Sequence, residues 1–138
     1  MFNQKKYIAH IKKNIFNEMI THCKDELPYE ACGILSGKDA INETLWRMKN
    51  IRHSPTAFEM DIHQINETIK SISRKREKIS GIYHSHPIGK AFPSSNDIIN
   101  FHYPEADYFI ISFATAKPEV RCYQIFNQNV NLVEILII

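Results

Sequence analysis

Apolar residues recur along the chain with two different spacings, one typical of helices and one typical of strands. Spacings of three and four residues predict an amphipathic helix over about 15–27, which ends before Pro28 because proline breaks a helix interior. The same spacing predicts a second helix that begins near residue 62 and ends in the basic run 74–76. All four isoleucines of this second helix are predicted to lie in the core: Ile62, Ile65, Ile69 and Ile72.

Segments with strand-like patterns lie before, between and after these helices. The predicted strands are 7–11, 31–36, 41–49, 79–86, 108–113, 120–126 and 130–138. A turn at Gly37 makes 31–36 and 41–49 a predicted hairpin, and a third, short helix is predicted over 95–103. No repeat or linker interrupts the chain, so we expect one domain, residues 1–138, of the α/β or α+β class with helices packed on a mixed central sheet.

Composition limits the function more than the fold. The 138 residues are 43% hydrophobic and carry a net charge of only +2, which implies no strong attraction to nucleic acid or to a membrane. The N-terminal segment lacks the apolar core of a signal peptide, and the apolar run 135–138 is too short to span a bilayer. The three cysteines are widely spaced, which favours neither a disulfide framework nor a thiolate zinc site and predicts a cytoplasmic protein.

A possible metal site lies where the strand 79–86 ends. His84 and His86 are two residues apart, so in a strand both rings project from the same face. Pro87 to Pro93 form a loop, after which Ser94 begins a helix with Asp97 in its first turn. Two histidines, one aspartate and an open fourth position fit a catalytic rather than a structural zinc site.

Each of these residues also has an ordinary structural interpretation. Two histidines on a strand are compatible with simple packing, and Ser94-x-x-Asp97 matches a helix capping box. Cys32 is interpreted as a small buried packing residue rather than a nucleophile. The remaining histidines have unrelated spacings and are given structural roles, with His22 and His63 expected on helix surfaces and His53 less clearly assigned. They are His10, His22, His53, His63 and His102.

Taken together, these residues resemble a known motif. The run His84-x-His86-Pro87, then six residues and Ser94-x-x-Asp97, with Glu30 upstream in Tyr-Glu-Ala-Cys-Gly, is similar to the JAMM (MPN+) metallopeptidase motif. The likeness covers roughly residue 13 to the C-terminus and is closest to small bacterial members that act as cysteine hydrolases on a ubiquitin-like sulfur-carrier protein. One departure is Ala57, where many relatives carry a larger polar residue.

The resemblance implies a JAMM/MPN domain with a cytidine-deaminase-like architecture and one Zn²⁺ per chain. His84, His86 and Asp97 would bind the zinc, Glu30 would be the general base, and Ser94 would assist at the tetrahedral intermediate. The strand 31–36 must then lie beside the strand that carries the histidines.

The implied reaction is hydrolysis of the amide bond after the C-terminal Gly-Gly of a ubiquitin-like sulfur carrier, with release of cysteine or a similar small amine. Phe58 and Met60 are candidates for the walls of a channel for the glycine tail, although core packing explains them equally well. Two alternatives remain open: a broader isopeptidase that removes ubiquitin-like modifiers from lysines, and a metal-binding, non-catalytic MPN scaffold. A zinc deaminase is set aside because the chain contains neither H-x-E nor P-C-x-x-C.

Overall fold

The computed structural model describes residues 6–100 and 103–138. Within these ranges no helix is long and apolar enough to cross a membrane. The helices and strands of the described chain are, in order, β1 (Ile8–Ile11), α1 (Lys13–Asp25), β2 (Cys32–Gly37), β3 (Ile41–Asn42), β4 (Thr44–Met48), α2 (Ile62–Arg74), β5 (Lys78–His86), α3 (Ser95–Asn100), β6 (Asp107–Ser112), β7 (Glu119–Phe126) and β8 (Asn129–Ile137).

The described strands form one mixed sheet in the order β3-β1-β8-β7-β6-β5-β2-β4. Pairing is parallel between β1 and β3, β1 and β8, and β5 and β6, and it is antiparallel at the other four junctions. The prediction of a mixed central sheet with packed helices is therefore confirmed. Strands β2 and β4 form the predicted hairpin, and β2 lies directly beside β5.

Alternation along the strands gives the sheet two apolar faces. On one face, Ile15 and Met19 of α1 pack into a buried cluster that includes Leu35, Tyr83 and Phe109. On the other face, Ile72 of α2 packs with Cys32 and Ile34 of β2 and with Met48 of β4. Ile34 is next to Leu35 in β2, so its side chain points to the opposite face. The two long helices thus cover opposite faces of the central strands.

The predicted strand 41–49 is wrong in one respect, because it is divided into β3 and β4. Asn42 is fully buried, and its side-chain amide donates hydrogen bonds to the carbonyl of His10 and to Oδ2 of Asp107 at 2.9 Å each. Its Oδ1 accepts a hydrogen bond from Ser80 at 2.7 Å. These bonds hold Asn42 of β3 beside β1. The chain therefore leaves its pairing with β1 after Asn42 and pairs with β2 from Thr44 onwards.

The prediction that all four isoleucines of α2 are buried is also wrong. Ile72 is 3% exposed and Ile65 packs against the same cluster, but Ile62 is 60% and Ile69 41% exposed. Thr68 is buried instead, because α2 touches the sheet along a narrow stripe that contains positions 65, 68 and 72.

The third predicted helix is confirmed over Ser95–Asn100, whereas Tyr103 lies outside any helix. The interpretation of His102 falls on a residue outside the described ranges.

His22 contradicts its predicted surface position. It is only 3% exposed, and its Nδ1 lies 2.6 Å from the hydroxyl of Tyr83. Burial lowers the pKa of His22 from 6.5 to about 4, Arg47 lowers it further, and Asp25 opposes the shift. The contact joins α1 to β5 one residue before His84. His63 is exposed on α2, as predicted.

Replacement of His22 by glutamine should weaken the pH dependence of stability. The pKa is lower in the folded than in the unfolded chain, so the unfolded chain takes up the proton first, and stability present above pH 6.5 is lost as the pH falls towards 4. Between about pH 7 and pH 5 the wild type should lose about 2 kcal/mol more unfolding free energy than His22→Gln, as measured by urea denaturation. His63→Gln is the matched control and should behave as the wild type. Equal losses in the wild type and His22→Gln would contradict the assignment.

Candidate active site

The two histidines at the end of β5 meet through their ring nitrogens. His84 is fully buried and His86 is 9% exposed, and their Nε2 atoms lie 2.9 Å apart. Both residues pair with β6, opposite Ile110 and Ser112, and His84 also pairs with Cys32 of β2 on the other side. The site lies where the parallel strands β5 and β6 end, a common location for ligand sites in α/β sheets.

Asp97 contacts both histidines from the first turn of α3. Its Oδ2 lies 3.2 Å from Nε2 of His84 and 3.2 Å from Nε2 of His86. The same oxygen accepts a hydrogen bond from the backbone N–H of Ser94 at 2.9 Å, and Ser94 Oγ accepts one from the N–H of Asp97 at 3.1 Å. The capping box is therefore present, and it holds Asp97 against the histidines, so its two sequence interpretations are compatible.

Glu30 reaches the same place from the neighbouring strand. Cys32 pairs with His84 in the antiparallel register, and continuing that register by two residues places Glu30 opposite His86 on the same face. Glu30 is 4% exposed, and ligand atoms of Glu30, His84 and His86 all lie within 4.8 Å of one another. The adjacency required between the strand 31–36 and the histidine strand is thus present.

The donor atoms fit a bound cation. Nδ1 of His86 lies 2.7 Å from the carbonyl of Lys90, which can only accept, so this nitrogen carries the proton and a neutral ring turns a lone pair towards Asp97. Oε1 of Glu30 is buried without a hydrogen-bond partner among the described residues. The separations of 2.9 and 3.2 Å are close to the spacing of about 3.3 Å expected for ligands with 2.0 Å bonds to tetrahedral zinc.

Burial and mutual contacts shift the pKa values in this cluster in different directions. Burial lowers the pKa of His84. Burial also opposes the charged forms of His86 and Asp97, but their hydrogen bonds outweigh it, so the pKa of His86 rises and that of Asp97 falls. Burial raises the pKa of Glu30 to about 8, with Asp97 adding to the rise and His86 opposing it. Asp97 is therefore ionised, whereas burial disfavours the ionised form of Glu30.

A cavity of about 610 Å³ opens beside Asp97. Phe58 lines it and stacks on the ring of His84, with centroids 4.6 Å apart and an interplanar angle of 25°. Phe58 and Met60 also pack against the core cluster on the α2 face, so core packing holds for both, and their role as walls of a glycine channel stays a prediction. The lining residues are Arg52, Thr56, Ala57, Phe58, Glu59, Met60, Ile65, Ile82, Ser94, Asn96, Asp97, Tyr103 and Tyr108.

Cys32 is a packing residue, as predicted. It is fully buried in the cluster beneath α2, and its Sγ lies 3.9 Å from the carbonyl of Met48. Burial raises the pKa of its thiol to about 12, with Glu30 and Glu26 adding to the rise. A thiol held protonated at neutral pH is a poor nucleophile.

Asn50 supports the site, although no role was predicted for it. Its side-chain amide donates to the carbonyls of Glu30 at 3.0 Å and Ala57 at 2.9 Å. Its Oδ1 accepts from the backbone N–H groups of Arg52 at 3.0 Å and Glu59 at 3.1 Å. One side chain thus joins the backbone of Glu30 to the cavity wall. An asparagine after a strand is a common turn residue, so the sequence contains no signal for these distant contacts.

Hydrogen bonds from neighbouring strands fix the rest of the site. Ser85 Oγ accepts the N–H of Ala31 at 2.8 Å and so ties β5 to the residue after Glu30. In the loop 87–93, the carbonyl of Gly89 accepts from Ser112 Oγ at 2.6 Å, and the Tyr123 hydroxyl donates to the carbonyl of Ala91. The loop that follows the histidines is therefore tied to β6 and β7.

Replacement of Asn50 by aspartate should destabilise the protein while preserving the shape of the side chain. The two donated hydrogen bonds are lost and a carboxylate faces two carbonyl oxygens, which should cost about 1–3 kcal/mol in the free energy of unfolding measured with urea. Asn66→Asp, on the exposed surface of α2, is the matched control and should change stability little. The stabilising role assigned to the hydrogen bonds of Asn50 is wrong if both variants unfold at the same urea concentration as the wild type.

Comparison with known proteins gives consistent matches. The family model described as prokaryotic homologs of the JAB domain matches residues 12–126. A protein of Mycobacterium tuberculosis named CysO-cysteine peptidase is 31% identical over an alignment that covers 93% of this chain and 93% of that protein. A Thermus thermophilus protein named probable TtuB-protein conjugate cleaving protease is 29% identical over 66% of this chain and 62% of its own length.

Solved structures match over nearly the whole chain. A protein of Desulfitobacterium hafniense, solved in solution, superimposes with a TM-score of 0.84 and 29% identity, over 95% of this chain and 93% of that one. A structure described as a JAMM metalloprotease-like zinc site in the proteasome and signalosome has a TM-score of 0.59 over 94% of this chain and 99% of that one. At 17% identity, this second match shows the fold alone.

Proposed function

Because the chain belongs to the prokaryotic family of JAB (JAMM/MPN) domains, we propose that it is a zinc-dependent hydrolase of ubiquitin-like sulfur-carrier conjugates. The bond cleaved is the amide after the carrier's C-terminal Gly-Gly, and the product is cysteine or a similar small amine. One observation carries the proposal: two histidines and two carboxylates from three separate segments converge in a buried cluster beside an open cavity.

His84, His86 and Asp97 would hold one zinc ion per chain. A zinc ion in such a site acts as a Lewis acid, which polarises a carbonyl group and makes water acidic near neutral pH. Metal ligands in proteins are usually oriented by further hydrogen bonds. Here Nδ1 of His86 contacts the carbonyl of Lys90, and the capping box holds Asp97.

Glu30 and Ser94 supply the proton transfer and the stabilisation of charge. The Glu30 carboxylate, whose Oε1 has no other partner among the described residues, accepts a proton from the attacking water and passes it to the leaving amine. Ser94 Oγ accepts the N–H of Asp97, so its own proton is available to the oxyanion that develops on the substrate. The backbone at Glu30 is held by Ser54 and Asn50, which keeps the base in register with the histidines.

The proposed substrate follows from the names of relatives and from the cavity. One relative is named for a cysteine adduct of a carrier protein, and another for protein conjugates of such a carrier. An extended Gly-Gly tail has no side chains, so the aromatic and apolar wall at Phe58 and Met60 would confine it by shape. Three buried free thiols fit a cytoplasmic setting for the reaction.

A second function is favoured by the relative named for protein conjugates: a broader isopeptidase that releases carriers from lysine side chains. The leaving group is then a protein rather than a free amine. A non-catalytic scaffold would have no need for a buried carboxylate without a hydrogen-bond partner beside the histidines, and such a group is costly to keep.

The wild-type protein should remove cysteine from a carrier that bears a C-terminal cysteine adduct, as followed by intact mass. Glu30→Gln should slow this by about 10²–10⁴-fold, because the amide cannot accept the proton. Glu18→Gln, exposed on α1, is the matched control and should retain the wild-type rate. No loss of cysteine from any tested carrier would refute the reaction, and release from lysine at a comparable rate would favour the isopeptidase.

Purified wild-type protein should contain about one zinc ion per chain after zinc loading, measured by elemental analysis. His84→Ala and Asp97→Ala should each lose most of this zinc, and zinc should no longer raise their melting temperature. His63→Ala, on an exposed helix surface, should keep both properties. An unchanged zinc content in His84→Ala would show that the metal lies elsewhere.

A further inference from the structure

The cavity beside the proposed zinc ligands has polar lining residues to which the proposed reaction assigns no role. Arg52, Thr56 and Asn96 line it together with Ser94 and Asp97. Arg52 is the one cationic side chain among the described residues that line this cavity. It therefore faces the same cavity as Ser94, to which the stabilisation of the oxyanion is assigned.

The guanidinium of Arg52 has no partner within the described chain. No carboxylate of residues 6–100 or 103–138 lies within 4.0 Å of it, even though Glu59 lines the same cavity. Arg47 and Arg121 have such partners, Asp25 at 3.8 Å and Glu119 at 3.2 Å. Arg74 and Arg76 have none among the described residues, but of the three arginines without a partner only Arg52 lines this cavity. The Arg52 backbone is nevertheless fixed, because its N–H donates to Asn50.

An anionic group that enters this cavity needs a cationic partner of its own. Asp97 and Glu30 lie at the histidine cluster, where the proposed zinc ion would offset their charge, and Arg52 is the cationic side chain on the described cavity wall. A free amino acid that leaves from an amide bond carries an α-carboxylate beside the bond being broken. A guanidinium binds a carboxylate through two parallel hydrogen bonds, which gives both attraction and orientation.

We propose that Arg52 binds the α-carboxylate of the leaving amino acid and so determines specificity for an amino-acid adduct. The inference rests on the proposed hydrolase function and adds the recognition of its leaving group. A lysine within a protein offers no such carboxylate, since its carboxyl group is part of the peptide chain. Arg52 thus favours release of a free amino acid over removal of a carrier from a protein lysine.

Two carrier adducts test this directly, one with cysteine and one with cysteamine, which has the same amine and thiol but no carboxylate. The zinc-loaded wild type should hydrolyse the cysteine adduct with a kcat/KM about tenfold or more above that of the cysteamine adduct. Arg52→Gln should lower kcat/KM for the cysteine adduct by about tenfold and leave that for the cysteamine adduct within about twofold. Arg52→Lys should recover part of the preference, because it restores the charge without the paired donors.

Arg74→Gln is the matched control, since Arg74 is exposed at the end of α2 and away from the cavity, and it should keep the wild-type preference. Zinc content and melting temperature of Arg52→Gln should equal those of the wild type. Equal hydrolysis of both adducts by the wild type, or equal losses on both in Arg52→Gln, would overturn the role of Arg52 while the hydrolase function stands. Hydrolysis of neither adduct by the wild type would overturn both.

Discussion

The antiparallel pairing of β2 with β5 is the constraint on which the site depends. With Cys32 opposite His84, the chain brings Glu30 to the face that carries both histidines. A shift by one residue would turn Glu30 to the other face. The one irregularity in this pairing lies between Leu35 and Ser36, at the far end of the ladder, so the register near the site stays regular.

A glycine and a tyrosine help to fix that pairing. Gly33 lies opposite Tyr83, and a Cβ at position 33 would lie 2.1 Å from the tyrosine ring. The ring therefore crosses β2 where no side chain stands, and its hydroxyl meets His22 of α1. In this way α1, which packs on one face of the sheet, helps to position β5, which presents His84 on the other face. A buried histidine with no chemical role thus contributes to the geometry of the site.

The local part of the site could be predicted from sequence, and the distant part could not. His84, His86, Ser94 and Asp97 lie within one short stretch, so strand alternation and helix capping place them without knowledge of the fold. Glu30 needed the resemblance to a known motif, because its position depends on a strand pairing that spans more than fifty residues. The surface position predicted for His22 was wrong for a related reason. Its hydrogen-bond partner, Tyr83, lies 61 residues later in the chain, and helical spacing gives no information about so distant a contact.

The same distinction separates the residues assigned to catalysis from those assigned to selectivity. The histidines lie on a strand paired on both sides, whereas Arg52 belongs to the connection 50–60, and such connections tolerate substitution well. This connection is not independent of the catalytic geometry, because Asn50 and the carbonyl of Ser54 hold the backbone of Glu30. Under the proposed function, exchanges of side chains on the connection would change the leaving group, while insertions that move its backbone would also displace Glu30. The proposed selectivity could therefore vary only as far as the hydrogen bonds to the Glu30 backbone are kept.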